Sequence, residues 1–148
     1  MDEPDTPGEL KARALRYLVR REHSRAELAR KLAPRAASPE ALGKLLDELV
    51  SKKQLSDERY ASERARTLSR KFGQARIRHD LRSKGVAGPI IDSVSLDGEI
   101  ERARQVLERK YRQPPTTREE RARRGRFLQG RGFSMDVISR LLRHDDAE

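Results

Sequence analysis

Apolar residues along this 148-residue chain recur at helical spacing and show no sustained alternation. Leu10, Ala14, Tyr17 and Leu18 share one face of a 3.6-residue period. Leu28 and Leu32 follow, then Leu42, Leu45, Leu46 and Leu49. Start signals precede each stretch. Thr6-Pro7-Gly8-Glu9 joins an N-cap, a first-turn proline and a capping-box glutamate, Ser24-Arg25-Ala26-Glu27 is a second capping box, and Ser38-Pro39-Glu40 opens a third helix. The pattern then predicts helices over 57–71 and 74–84, a short helix bearing Ile90, Ile91 and Val94, and helices over 98–112, 118–131 and 134–143. Thr117-Arg118-Glu119-Glu120 is a further capping box, and Gly85 and Gly132 are placed as left-handed C-caps. No segment reads as a strand. Residues 1–8 and 144–148 are expected to fray.

The pattern repeats. A shift of 47 positions places Leu81 on Leu128, Gly85 on Gly132, Val86 on Phe133, Ile90 on Val137, Ile91 on Ile138 and Val94 on Leu141. A shift of 49 relates Leu28 to Ile77, Leu32 to Leu81, Leu42 to Ile91 and Leu45 to Val94, so the first unit is the weaker match. Arg124 is an exception, standing where the middle unit has apolar Ile77. The predicted fold class is all-α: three tandem three-helix, helix-turn-helix-like repeats over 1–55, 56–95 and 96–148, forming an elongated, curved molecule. The breaks near Ser56 and Leu96 read as helical or short linkers, and Gln113-Pro114-Pro115-Thr116 as a non-helical loop.

Composition sharpens this reading. Leu, Ile, Val and Phe number 31, about 21% of the chain, which suits several thin cores better than one deep one. The formal net charge is +10, and 26 of the 34 basic residues are arginine. That balance points to a polyanionic partner, either nucleic acid or an acidic protein surface, although a codon bias towards arginine would also raise the count. The charge is spread over the three repeats at +3, +4 and +3, so none stands out as the nucleic-acid module. The chain has no cysteine and no long apolar run, so a cytoplasmic protein with no membrane span and no thiolate metal site is expected.

Candidate chemistry is sparse. There is no phosphate-cradling loop, dinucleotide fingerprint or zinc-protease signature, so no enzyme activity, cofactor or metal is expected. His23, His79 and His144 read as exposed surface histidines. The acidic pairs Asp57/Glu58 and Glu119/Glu120 suit first helical turns. Arg76, Arg78, Arg82 and Lys84 crowd one short helix; Arg121, Arg123, Arg124, Arg126 and Arg131 crowd its equivalent in the next repeat. Each run alone suits a solvated face. Their recurrence in equivalent helices predicts a basic stripe that tracks phosphates without reading sequence. Six scattered aromatics disfavour a base-stacking platform.

Three segments resemble the RecX family. They are Leu55-Ser56-Asp57-Glu58-Arg59-Tyr60-Ala61, the run from Gly73 to Val86 (GQARIRHDLRSKGV), and the run from Phe127 to Ile138 (FLQGRGFSMDVI). The resemblance extends from about residue 10 to 143, with the motifs in family order. It departs at Arg124, where that family usually carries an apolar residue. The resemblance implies three tandem three-helix repeats and negative modulation of RecA, the bacterial recombinase that polymerises on single-stranded DNA and hydrolyses ATP. It implies binding in the groove of the RecA filament, inhibition of filament extension, ATP hydrolysis and strand exchange, and direct binding of single- and double-stranded DNA. Roles in DNA repair, homologous recombination and the SOS response follow. On this reading the basic stripe makes the contacts, while Asp57, Arg59 and Tyr60 stabilise the junction of the first two repeats. Two rivals are a stand-alone helix-turn-helix DNA-binding protein and a generic basic adaptor. The absence of an evident dimerisation segment weakens the first and predicts a monomer.

Overall fold

The structure, a computed structural model, describes residues 3–143, and no strand occurs among them. Nine α-helices follow one another in chain order: α1 Pro7–Arg20, α2 Arg25–Leu32, α3 Pro39–Ser51, α4 Asp57–Leu68, α5 Gln74–Ser83, α6 Gly88–Ser93, α7 Glu99–Lys110, α8 Arg118–Gly130 and α9 Met135–Arg143. A single 3₁₀ turn, Ala33–Arg35, which the pattern did not predict, extends α2. Each predicted helix is present. The largest difference is at α4, which stops at Leu68, three residues before the predicted end.

The capping signals act as local physics requires, with two exchanges of partner. At α1 the box is complete: the Glu9 amide donates to the Thr6 hydroxyl at 3.2 Å and the Thr6 amide donates to the Glu9 carboxylate at 2.9 Å. At α2 only half forms. The Glu27 amide donates to Ser24 Oγ at 3.1 Å, while the Glu27 carboxylate is held instead by Arg21, at 2.6 and 3.0 Å. A charged partner is a stronger donor than a backbone amide, and the guanidinium fork satisfies both oxygens at once. At α8 the Glu120 carboxylate reaches back to the Thr116 amide at 2.7 Å, one residue before the N-cap Thr117. Gly85 and Gly132 adopt φ of 83° and 91°, the left-handed C-cap conformation.

Packing gathers the described residues into two compact units, one of residues up to 63 with 81–93, the other of 64–80 with the residues from 94 onward. In the first, α1, α2 and α3 bury Leu10, Ala14, Leu28, Leu32, Leu45, Leu46, Leu49 and Leu55. In the second, α7, α8 and α9 bury Ala103, Val106, Leu107, Leu128, Phe133, Val137 and Ile138. Tyr60, Ala61, Ala65, Ile77, Leu81, Val86 and Ile91 are buried as well. Seven of the eight buried residues of the first core are leucine, so individual leucines carry much of its stability. Leu28 is fully buried, and truncating such a side chain to alanine costs roughly 2–5 kcal/mol.

Two sequence expectations are corrected. The residues before α1 are not frayed throughout: Asp5 is buried, its amide donates to the Arg35 carbonyl at 2.8 Å, and its carboxylate is gripped by Arg13 at 2.8 Å and Arg35 at 2.9 Å. Those guanidinium bonds, opposed by partial burial, hold the Asp5 carboxyl at about 2. His23 is not a surface residue. It is 1% exposed, with Nδ1 3.1 Å from the Arg21 carbonyl and Nε2 2.9 Å from Lys31 Nζ, and its ring tilts against Tyr17. His79 is exposed as expected, and His144 lies outside the described residues.

Candidate nucleic-acid and partner interface

Within each compact unit the turn before one helix docks on the glycine turn that closes another. In the first unit Ser24 Oγ donates to the Lys84 carbonyl at 2.7 Å, and Gly85 lies against Ala26 so closely that a Cβ there would overlap it. In the second, the Gly73 amide donates to the Arg131 carbonyl at 2.8 Å and the Ala75 amide to the Gly132 carbonyl at 3.2 Å. A Cβ on Gly73 would overlap the Gly132 peptide, and one on Gly132 would overlap Arg76. The shifts found in the sequence make these joints equivalent: 49 carries residue 24 to 73, and 47 carries residue 84 to 131. Two segments singled out for their resemblance, 73–86 and 127–138, thus meet backbone to backbone.

The junction residues lie in the first unit. Asp57 Oδ1 accepts the first amide of α2, from Arg25, at 2.7 Å. Arg59 pairs with Glu22 at 2.7 Å, and its own amide donates to Ser56 Oγ at 3.1 Å. Tyr60 is buried. This segment therefore ties the first turn of α4 to the α1–α2 turn.

The basic residues divide by how their charge is held. Around α1–α3 six are matched to carboxylates: Arg13 and Arg35 to Asp5, Arg21 to Glu27, Arg25 to Asp47, Lys11 and Lys52 to Glu48. In the second unit several rest on aromatic rings. Arg76 lies over Phe72 at 4.2 Å and donates to the Gly130 carbonyl at 3.0 Å. Arg131 lies over Phe127 at 5.1 Å and Phe72 at 5.4 Å, Lys110 over Phe127 at 4.8 Å, and Arg124 over Tyr111 at 4.3 Å. The departure at Arg124 is thereby explained, because its guanidinium covers an aromatic face where an aliphatic side chain would otherwise pack. Arg123 and Arg126 are exposed on α8, and Arg121 and Arg78 are half-buried. Arg82 is exposed and Lys84 half-buried, both in the first unit. The structure therefore brings Arg76 and Arg131 together on Phe72, and distributes the predicted basic residues over both units.

Sequence reasoning passed over Lys71, Arg109 and Lys110, which with Arg131, Val106 and Phe127 line a cavity of about 280 Å³ in the second unit. A guanidinium four residues after an aromatic at the end of α8 (Phe127, Arg131) was a legible signal; the approach of Lys71 and Arg109 was not. Arg102 was also missed. It donates to the Leu96 and Asp97 carbonyls at 3.2 Å, and burial pushes its pKa down. Among the described residues no cluster of three or more histidine and acidic side chains is placed to hold a metal ion, and no helix is long and apolar enough to cross a membrane.

Models of the RecX first, second and third three-helix domains match residues 11–49, 56–94 and 97–142 in that order. The chain belongs to the RecX family. It is 47% identical over 142 residues to the regulatory protein RecX of Leptothrix cholodnii, covering 94% of this chain and 90% of that protein. It is 46% identical to that of Herbaspirillum seropedicae, covering 88% and 87%. The crystal structure of RecX from Lactobacillus salivarius superposes with a TM-score of 0.79 at 21% identity, over 96% of this chain and 97% of that one, so the fold is shared where most of the side chains are not. This chain is thus an all-helical RecX-family protein of three tandem three-helix domains, and its relatives are named as regulators. In this RecX-family chain the two glycine-closed joints fall between residues matched by different domain models, 24 with 84 and 73 with 131.

Proposed function

We propose that this chain is a negative modulator of the RecA recombinase. It binds the filament that RecA forms on single-stranded DNA and inhibits filament extension, ATP hydrolysis and strand exchange. Membership of the RecX family carries this reading, through relatives named regulatory protein RecX over most of their length. The +10 charge and the cations left off carboxylates in the second unit suit an acidic filament with bound DNA. The mechanism is steric and thermodynamic. A chain that contacts more than one protomer gains avidity, obstructs subunit addition and shifts the filament towards an inactive state by differential affinity. Arg76, Arg78, Arg82, Lys84, Arg121, Arg123, Arg124, Arg126 and Arg131 are the proposed contact set, and Asp57, Arg59 and Tyr60 the junction supports. We read 1–55, 56–95 and 96–148 as the three repeats, a monomer as the acting species and the cytoplasm as its compartment. A stand-alone helix-turn-helix DNA-binding protein is not favoured by the family relationship.

The test is single-stranded-DNA-dependent ATP hydrolysis by the cognate RecA, with this protein added substoichiometrically and DNA in excess. Loss of hydrolysis is expected. Unchanged hydrolysis, with no binding to the filament, would remove the proposal.

A further inference from the structure

We propose that the cavity between the end of α4, α7 and α8 seats a backbone phosphate of single-stranded nucleic acid. This deepens the reading above, because the strand is the one a recombinase filament would carry. Lys71, Arg109, Lys110 and Arg131 contribute four cations to one concavity, and no carboxylate lines it. None of the four forms an ion pair among the described residues, whereas six cations around α1–α3 pair with carboxylates. Like charges collected without counterions repel one another, and an arriving anion relieves that repulsion.

Three of the four cations are nevertheless held in place. Lys110 and Arg131 rest on the Phe127 ring, Arg131 also on Phe72, and Arg109 donates to the Arg70 carbonyl. Such contacts fix position without cancelling charge, which is the condition for a preorganised anion seat. Only Val106 and Phe127 supply apolar lining, and about 280 Å³ falls below the ~300–1,000 Å³ typical of drug-sized ligand sites. A phosphate with its sugar fits that volume; a whole dinucleotide does not.

The shared chemistry is a phosphate group, and the test separates its sources. Fluorescence anisotropy of labelled oligothymidylate is measured with the full chain, without RecA, so failure of the seat and failure of recombinase regulation are read separately. The variant is Lys71→Gln/Arg109→Gln. The control is Arg16→Gln/Arg20→Gln, two exposed residues of α1 that remove equal charge. Each lost phosphate contact lowers the salt slope by about 0.7 and the affinity roughly fivefold at 0.1 M salt. The cavity variant is expected to show this loss and the control to keep the native slope. Should the double variant lose its helical circular dichroism, Lys71→Gln alone gives the same readout, since that side chain is exposed. Equal losses in variant and control would overturn the seat in favour of diffuse charge. Inorganic phosphate that shifts cavity amide resonances, with oligothymidylate affinity unchanged in the variant, would overturn the strand as occupant. A poly-glutamate of equal charge that binds as tightly and loses as much would overturn a phosphate-specific site.

Discussion

His23 is a basic group held neutral. Burial, the chief cause, lowers its pKa, and the Arg21 and Lys31 cations reinforce the shift against the Arg21 carbonyl and Glu27. Its folded pKa lies below the unfolded value of 6.5, so the unfolded chain takes up the proton first and stability falls as pH drops through that value. The urea midpoint is expected to decline between pH 7.5 and 5.5, and His23→Gln to flatten that decline. A second loss follows below pH 4. There Asp5 and Glu27, each held at about 2 by arginine partners, give up the stability they supply above their unfolded pKa values. A midpoint flat from pH 7.5 to 5.5 in the native chain would contradict the buried, neutral ring. Glycines supply an opposed pair of predictions. Gly132→Ala, at a φ of 91° and against Arg76, is expected to cost more than about 2 kcal/mol. Gly130→Ala, on α8 with open space around it, is expected to gain up to about 1 kcal/mol. Urea denaturation of both variants gives the signs directly.

At the scale of the helices, much was readable because capping is local. Thr6, Ser38 and Thr117 announce helix starts through bonds reaching no more than three residues, and Gly85 and Gly132 announce ends through their own dihedrals. What was not readable depends on distant partners. Nothing near Ser24 indicates that its hydroxyl meets the Lys84 carbonyl sixty residues away, nothing near Asp5 indicates Arg35, and nothing near Lys71 indicates Arg109. The burial of His23 is hidden in the sequence for the same reason, since it is made by neighbours such as Tyr17 across the α1–α2 turn. Ser24 therefore does two jobs where Ser38 does one. Ser38→Ala removes a cap and is expected to cost about 1 kcal/mol. Ser24→Ala also strands a carbonyl and is expected to cost about 2–3 kcal/mol, measured as the difference in unfolding free energy.

At the scale of the molecule, charge sets how a partner is met. On the proposed function, the net +10 charge would accelerate encounter with an acidic filament, an acceleration that fades as salt shortens the Debye length from about 10 Å at 0.1 M to about 3 Å at 1 M. Exposed cations alter recognition without touching a core. Arg82→Glu with Arg126→Glu is expected to weaken inhibition of RecA-dependent ATP hydrolysis several-fold while leaving the unfolding free energy, measured in urea, within about 0.5 kcal/mol of the native value. A large loss of stability in that variant would show that these side chains support the fold instead.

The two equivalent joints use different donors, and this changes how each can drift. Position 24 presents a hydroxyl, so its requirement is chemical: threonine is the conservative replacement there. Position 73 presents only its amide, so its requirement is emptiness, and every residue with a Cβ is shut out by the Gly132 peptide. Random substitution followed by selection for folded protein should therefore return a small hydroxyl-bearing alphabet at 24 and a single letter at 73.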